Sequence, residues 1–330
     1  MLEPVIDRPL ARAAAETKIR ATSFPGKIYL NLAAQDWIVG VYFVVLFFAL
    51  ALGNGEGKEA CYRMLAIDVA ILLSGWILVR GEILKGPLGS LLYRTSILVP
   101  VVVSYFQLRW ILPAVTTRAL DASIYGFDMR VFGYEPSVAW DKYVSSTTTE
   151  WFAFFYFGYF FILLLHVIPF VLAGKDELSL RHFALGIFIQ FCVTHVLYMV
   201  VPGWGPYHEL KFDHELTGGT FWGLVVSSVH AGGALKDIFP SLHTAAPVWF
   251  AAFAWRQARA DARWRWPAVT TAVFALNIVV STMLLRWHYA VDVLAGFALA
   301  GAAAALAPAL VRWEARARAS QGWADAWDFR

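Results

Sequence analysis

The chain has 330 residues, 59% of them hydrophobic and only 15% charged, with a mean hydropathy of +0.57. Soluble domains carry about a quarter charged residues, so this composition excludes an ordinary soluble domain and points to a membrane protein. The net charge of +3 is modest and its basic residues gather in particular stretches, which marks topology and argues against a nucleic-acid partner.

A membrane span needs about 20 mostly apolar residues. Residues 1–36 read as a cytoplasmic basic leader with Arg8, Arg12, Lys18, Arg20 and Lys27, too charged for a signal-peptide core. Eight spans are predicted, at about 37–53, 62–79, 92–112, 151–173, 182–201, 240–256, 267–286 and 289–311. The expected division is leader 1–36, N-terminal membrane helices 37–112, a catalytic core 113–311 and a cytoplasmic tail 312–330. The mixed stretch 124–143 is expected to lie along the membrane interface. Aromatic residues, 16% of the chain with 15 Trp, suit interfacial belts. Cys61 and Cys192 form no disulfide framework.

Lys and Arg set the orientation. With the N-terminus inside, inner loops hold Arg80, Lys85, Lys175, Arg181, Arg256, Arg259, Arg263 and Arg265, and the tail adds Arg312, Arg316 and Arg318. Outer loops hold Asp121, Asp128, Glu135, Asp141, Glu150, Glu209, Asp213 and Glu215. Both termini are therefore expected to be cytoplasmic. The loop 202–239, the start of the sixth span and the junction 286–289 fall on the outer face.

Two polar strings open the sixth and eighth spans: Asp237-Ile238-Phe239-Pro240-Ser241-Leu242-His243-Thr244-Ala245 and Arg286-Trp287-His288-Tyr289-Ala290-Val291-Asp292. Topology puts His243, His288 and Asp292 at one membrane level. His288 and Asp292, four apart, share a helix face, and a carboxylate beside an imidazole fixes its tautomer and stabilises its substituted form. The N-termini of both helices are expected to point free N–H groups at one spot, where Arg286, Arg109 and Ser241 would help to hold a phosphate. Phosphoryl transfer rests on positioning and charge neutralisation, and two histidines divide the work of nucleophile and acid.

Pro240-Ser241-Leu242-His243 and His288-Tyr289-Ala290-Val291-Asp292-Val293-Leu294-Ala295-Gly296 resemble two of the three signature motifs of the type 2 phosphatidic acid phosphatase superfamily, and more closely its inositol phosphorylceramide synthase branch. Phe132-Gly133-Tyr134-Glu135-Pro136 resembles that branch's FGxxP loop, and Tyr198 through Tyr207 its aromatic, Pro-rich segment. The resemblance, over roughly 105–300, implies an all-α polytopic bundle with a six-helix catalytic core. It implies that His288 forms a phosphohistidine, Asp292 orients it, and His243 serves as acid and then base, with no metal and no cofactor. The implied substrates are a phospholipid donor such as phosphatidylinositol and a lipid alcohol such as ceramide or diacylglycerol. The chain departs from the family pattern in lacking its first motif, for which Arg109-Trp110 is the nearest stand-in. Thr282 stands where an Arg is usual, with Arg286 two before the histidine, and Leu242 stands where plain phosphatases have Gly.

Other polar residues have plainer readings. Asp237 reads as the N-cap of the sixth span. His208, His214 and His230 match no metal motif and read as solvated loop residues. His166 and His195 read as helix-to-helix hydrogen-bonding groups. Asp68 is expected to pair with Arg63 or Arg109. The rival functions are a lipid phosphate phosphatase with water as acceptor, a proton-coupled transporter and a non-catalytic lipid-binding scaffold.

Overall fold

The computed structural model describes residues 23–172, 178–233 and 235–327. Most of the expected leader, including Arg8, Arg12, Lys18 and Arg20, lies outside the described residues, as does Lys175. Among the described residues the chain forms thirteen α-helices and no strand.

A short helix, α1 (Phe24–Asn31), leads into α2 (Ala34–Leu52), α3 (Lys58–Gly75, running on through a π turn Trp76–Arg80) and α4 (Gly86–Val115). Then come α5 (Asp121–Phe132) and the one-turn α6 (Pro136–Ala139), followed by the long pair α7 (Ser146–Leu172) and α8 (Leu178–Val200). A short α9 (Pro206–Glu209) and α10 (Thr220–Gly232) cross to α11 (Leu242–Ala260), α12 (Arg265–Leu284) and α13 (Ala290–Ser320).

Seven segments are long and apolar enough to cross a membrane: α2, α3 with its π turn, α4, α7, α8, α12 with the 3-10 turn before it, and α13. The chain is therefore a polytopic membrane helix bundle. The eighth expected span is α11. It is 19 residues long but carries Arg256 and Arg259 in its last turns and His243 in its first. Its body packs against α12, α13 and α8, with Leu242, Ala245, Ala246, Trp249, Phe250 and Ala254 all buried. An enclosed helix needs less apolar surface than one facing lipid, which is why hydropathy alone leaves it out.

The helices α7, α8, α11, α12 and α13 form one interlocked bundle, and α2 and α4 join it along α8. Its core is continuous from Leu46 and Leu108 to Phe188, Phe250 and Ile278. His166 and His195 tie helices together as the sequence suggests. Nδ1 of His195 lies 3.3 Å from the Tyr42 hydroxyl and 3.5 Å from Ser104 Oγ. His166 stacks on Phe250 at 4.7 Å and reaches Thr271 Oγ1 at 3.4 Å. Asp68 meets neither expected arginine: it faces Gln107, and Arg63 pairs with Glu59 at 2.8 Å.

The two described ends of the chain meet on one face. Arg318 donates to the carbonyls of Leu30 and Leu32 at 2.6 and 2.9 Å, and the Ala34 amide donates to Glu314 at 2.8 Å. There Arg80 pairs with Asp36 at 2.6 Å, both buried, and also donates to the Ala326 carbonyl. Asp36 further accepts from Tyr93 and Trp76, each at 3.0 Å. The segment after α13 folds back, with Asp325 bound to Arg181 at 2.9 Å and Ala326 and Trp327 buried. Opposite lies the face built by α5, α6, α9 and α10, where the polar strings converge.

Candidate active site

The junction between α12 and α13 places His288. Backbone hydrogen bonds from Trp287 and His288 both end on the Thr282 carbonyl, at 3.0 and 3.1 Å. Arg286 has φ of 66°, in the left-handed region that non-glycine residues seldom enter. Two groups hold it there: its carbonyl accepts from the Tyr207 amide at 2.8 Å, and its Nη2 donates to Asp141 at 2.7 Å and to the His214 carbonyl at 2.5 Å. The guanidinium also lies 4.0 Å over the Phe212 ring. Gly205 stays small because a Cβ there would sit 2.5 Å from the Trp287 carbonyl.

The start of α13 is capped from outside. Asp128 of α5 accepts from Ala290 and Val291 at 2.7 and 2.9 Å, and Asp292 accepts from Tyr289 at 2.9 Å. The expectation that this helix end offers free N–H groups to a phosphate is therefore corrected: its first amides are taken by two carboxylates. The α11 end differs. Its N-cap is Ser241, whose side chain accepts no capping bond, so its first-turn amides lack that partner. Asp237, expected to cap it, does not. Pro240, joined by a cis peptide, immediately precedes the cap residue.

His243, His288 and Asp292 come together as the topology predicts. Nδ1 of His288 lies 3.4 Å from Asp292 Oδ2, within ion-pair range though not aligned as a hydrogen bond. The rings of His243 and His288 have centroids 6.3 Å apart at 50°. Tyr156 stacks on His243 at 4.4 Å and 11°, and Tyr159 packs on it at 4.4 Å and 42°. The Ser241 amide donates to the Asp292 carbonyl at 3.0 Å, which ties the starts of α11 and α13. Gly296 allows that approach, because a Cβ there would lie 2.7 Å from the Ser241 carbonyl and 2.8 Å from Thr244 Cβ.

Nε2 of His243, Nδ1 of His288 and Oδ1 of Asp292 are buried without a hydrogen-bond partner among the described residues. These three atoms leave hydrogen-bonding capacity where α11 and α13 meet. Burial pulls the His288 imidazole down to about 4, against the opposing pull of the Asp237 charge and the Ile238 backbone. At neutral pH the ring is then uncharged, the form in which nitrogen carries a free pair.

The two histidines open on a cavity of about 130 Å³. Its wall is mostly aromatic, from α4, α7, α8 and the loop before α9, with Asp237 among the lining residues. No Lys or Arg lines it among the described residues. Arg286 turns instead to Asp141 on the far side of Trp287. Arg109 is exposed, donates to the Ala231 carbonyl at 2.6 Å and lies over the Trp110 ring, which ties α4 to α10. Ser241 is fully buried beneath the wall, where its hydroxyl accepts from Thr244 at 3.2 Å.

Four carboxylates that read as ordinary outer-loop acids turn out to be the frame. Asp121 accepts from the amides of Trp204 and Gly205 and from the Tyr289 hydroxyl, Asp128 caps α13, and Asp141 accepts from Arg286 and the amides of Asp213 and His214. Glu135, of the FGxxP-like loop, accepts from Ser137 and is pushed up to about 7, chiefly by burial. Apart from the FGxxP-like loop that carries Glu135, their sequence signal is acid density between the third and sixth spans, since the partners of Asp121, Asp128 and Asp141 lie tens of residues or more away. Of the loop histidines, His214 is 3.0 Å from Asp141 and His208 is 2.9 Å from Glu209. Among the described residues no group of three or more His, Cys, Asp or Glu is placed to hold a metal ion.

The family model described as PAP2 superfamily matches residues 122–306, more than half of the chain and inclusive of both polar strings. The chain matches no curated protein and no solved structure.

Proposed function

The chain belongs to the PAP2 superfamily, whose members are phosphatases and phosphotransferases, and on that premise we propose that it is a metal-independent lipid phosphotransferase with His243, His288 and Asp292 as its catalytic residues. The observation that carries the reading is the meeting of His243 and His288 on the wall of one cavity, with the Asp292 carboxylate behind His288. His288 attacks phosphorus through Nε2, since Nδ1 faces Asp292. The bond from phosphorus to the diacylglycerol oxygen breaks, and that oxygen takes the proton of a protonated His243. The phospho-headgroup then sits on His288. An acceptor hydroxyl gives its proton to His243, its oxygen attacks phosphorus, and His288 leaves with its nitrogen pair restored. A lipid hydroxyl such as ceramide as acceptor makes the protein a synthase, in line with the resemblance to inositol phosphorylceramide synthases. Water as acceptor makes it a phosphatase. A mostly aromatic wall favours the lipid acceptor, because it disfavours standing water. By the Lys and Arg bias the site faces the non-cytoplasmic side and both termini the cytoplasm.

The test is turnover of phosphatidylinositol and phosphatidic acid by the purified protein in detergent with EDTA, each with and without ceramide. Product formation that vanishes in His288→Ala, together with an acid-labile, base-stable phosphoprotein in wild type, is the expected result. The rival reading, proton-coupled transport, draws on the buried Asp68, Gln107 and His195 within the bundle. Solute-driven proton flux in liposomes that survives His288→Ala, with no lipid turnover, would put transport in place of transfer.

A further inference from the structure

The same cavity carries a second piece of chemistry. A phosphate brought to His288 is an anion, and the usual answer is a lysine or arginine beside it. Here none lines the cavity among the described residues, while a carboxylate, Asp237, does. Asp237 is held there by its backbone, which bridges to Gly203, whose amide donates to the Lys236 carbonyl at 3.2 Å. Lys236 is engaged elsewhere: its Nζ donates to the carbonyls of Thr117 and Arg118 and lies 4.8 Å over the Trp204 ring. The Asp237 carboxylate faces the backbone of Leu235 and of Asp237 itself, the Tyr105 hydroxyl and His288.

Around Asp237 the wall is built of Tyr105, Tyr156, Tyr198, Tyr207, Trp204 and Trp287. Trp287 sits 4.9 Å from Tyr207 and 6.2 Å from Tyr156, so these rings form one continuous surface. Aromatic faces around a single carboxylate form a cage for a quaternary ammonium: the ring quadrupoles attract the cation, and the methyl groups need no hydrogen bonds.

Resting on the phosphotransferase reading above, we infer that Asp237 and its ring of tyrosines and tryptophans bind the cationic end of a phosphocholine-type headgroup, so that the donor is a zwitterionic glycerophospholipid. Such a headgroup brings its own positive charge, two carbons from the phosphate oxygen, and is neutral overall. It thereby explains how a phosphate enters a cavity without a basic residue. A dianionic phosphate monoester or an inositol phosphodiester would meet Asp237 with only the protonated His243 to offset its charge.

The test compares phosphatidylcholine, phosphatidylinositol and phosphatidic acid of matched acyl chains as donors in maltoside micelles, read as diacylglycerol release or its equivalent. Phosphatidylcholine is expected to have the highest kcat/KM. Asp237→Asn should lower the ratio of phosphatidylcholine to phosphatidic acid kcat/KM roughly tenfold or more, whatever it does to turnover in general, and Trp204→Leu should also weaken choline preference. Melting curves of both variants report folding. Phosphatidylinositol or phosphatidic acid turned over as well as phosphatidylcholine overturns the inference and leaves the phosphotransferase reading standing. An equal loss for all donors in Asp237→Asn also overturns it, because the carboxylate then serves His288 rather than the headgroup. Should no donor turn over, the phosphotransferase reading fails, and binding decides the cage by itself. Saturation-transfer NMR with glycerophosphocholine should show the strongest transfer at the N-methyl protons in wild type, lost in Asp237→Asn. No transfer to those protons in wild type overturns the cage.

Discussion

Asp292 does two jobs with one carboxylate: it caps the first turn of α13 through Oδ2 and faces Nδ1 of His288 with the same atom. Asp292→Asn keeps an acceptor for the cap but presents the imidazole with an amide. The expected outcome is a near-native melting temperature with kcat down by roughly 10²–10⁴ and KM little changed, measured as initial rates on the best donor. Arg286 makes the opposite case. As a phosphate ligand it would affect KM; as the partner of Asp141 it holds a strained turn. Arg286→Ala and Asp141→Asn should each cost about 2–4 kcal/mol of stability and combine non-additively in a double-mutant cycle of melting or denaturant data. The meeting of His243, His288 and Asp292 was legible in the sequence because it follows from i, i+4 spacing and span parity. Asp237 was not, since capping is the simplest fate of an Asp just before a helix. Whether it caps or lines a wall depends on a three-residue segment whose path is set by Gly203, 34 positions upstream.

Helix contacts decide how far apart the two histidines stand. Gly296 lets α13 lie on the Ser241 carbonyl and on Thr244, a backbone atom and a branched side chain that cannot yield cheaply. Gly296→Ala should push the helix starts apart, at a cost of about 1–3 kcal/mol, and lower turnover more than the melting shift alone explains. The loop carrying Glu135 adds a pH dependence. Its carboxyl is raised from the usual range to about 7, so the folded protein holds a proton that the unfolded chain releases. Stability from this group is full below about pH 4.5 and is lost as pH rises to about 7, by up to roughly 3 kcal/mol. Melting temperature in detergent should therefore fall between pH 5 and pH 8, and Glu135→Gln should flatten that slope. Eight spans were read from apolar runs, and seven stand as helices long and apolar enough to cross a membrane; the mixed composition of the other, α11, makes sense only inside the bundle. The caps on α10 and α13 were invisible, because Glu150 and Asp128 reach amides some 70 and 160 positions away.

At the scale of the whole molecule, the meeting of α1 with the end of α13 requires an even number of crossings. With the buried native Cys61 and Cys192 giving little background, cysteines placed at Tyr29 and Trp313 should react with a membrane-impermeant maleimide from one side of sealed vesicles, and a cysteine at Glu215 from the other. Labelling of Tyr29→Cys and Trp313→Cys from opposite sides would break the eight-crossing arrangement.

The fold-back of residues 325–327 sets an order of events during synthesis. Arg80 enters the nascent bundle early, yet the carbonyl it bonds, that of Ala326, is made 246 positions later. At about 5–20 residues per second, that interval is roughly 10–50 s. For that time Arg80 has Asp36 beside it but not the carbonyl that completes its site. A ribosome stall late in the message would thus release a chain in which α11 to α13 have mostly been made but whose opposite end is unsealed, a ready target for membrane proteases.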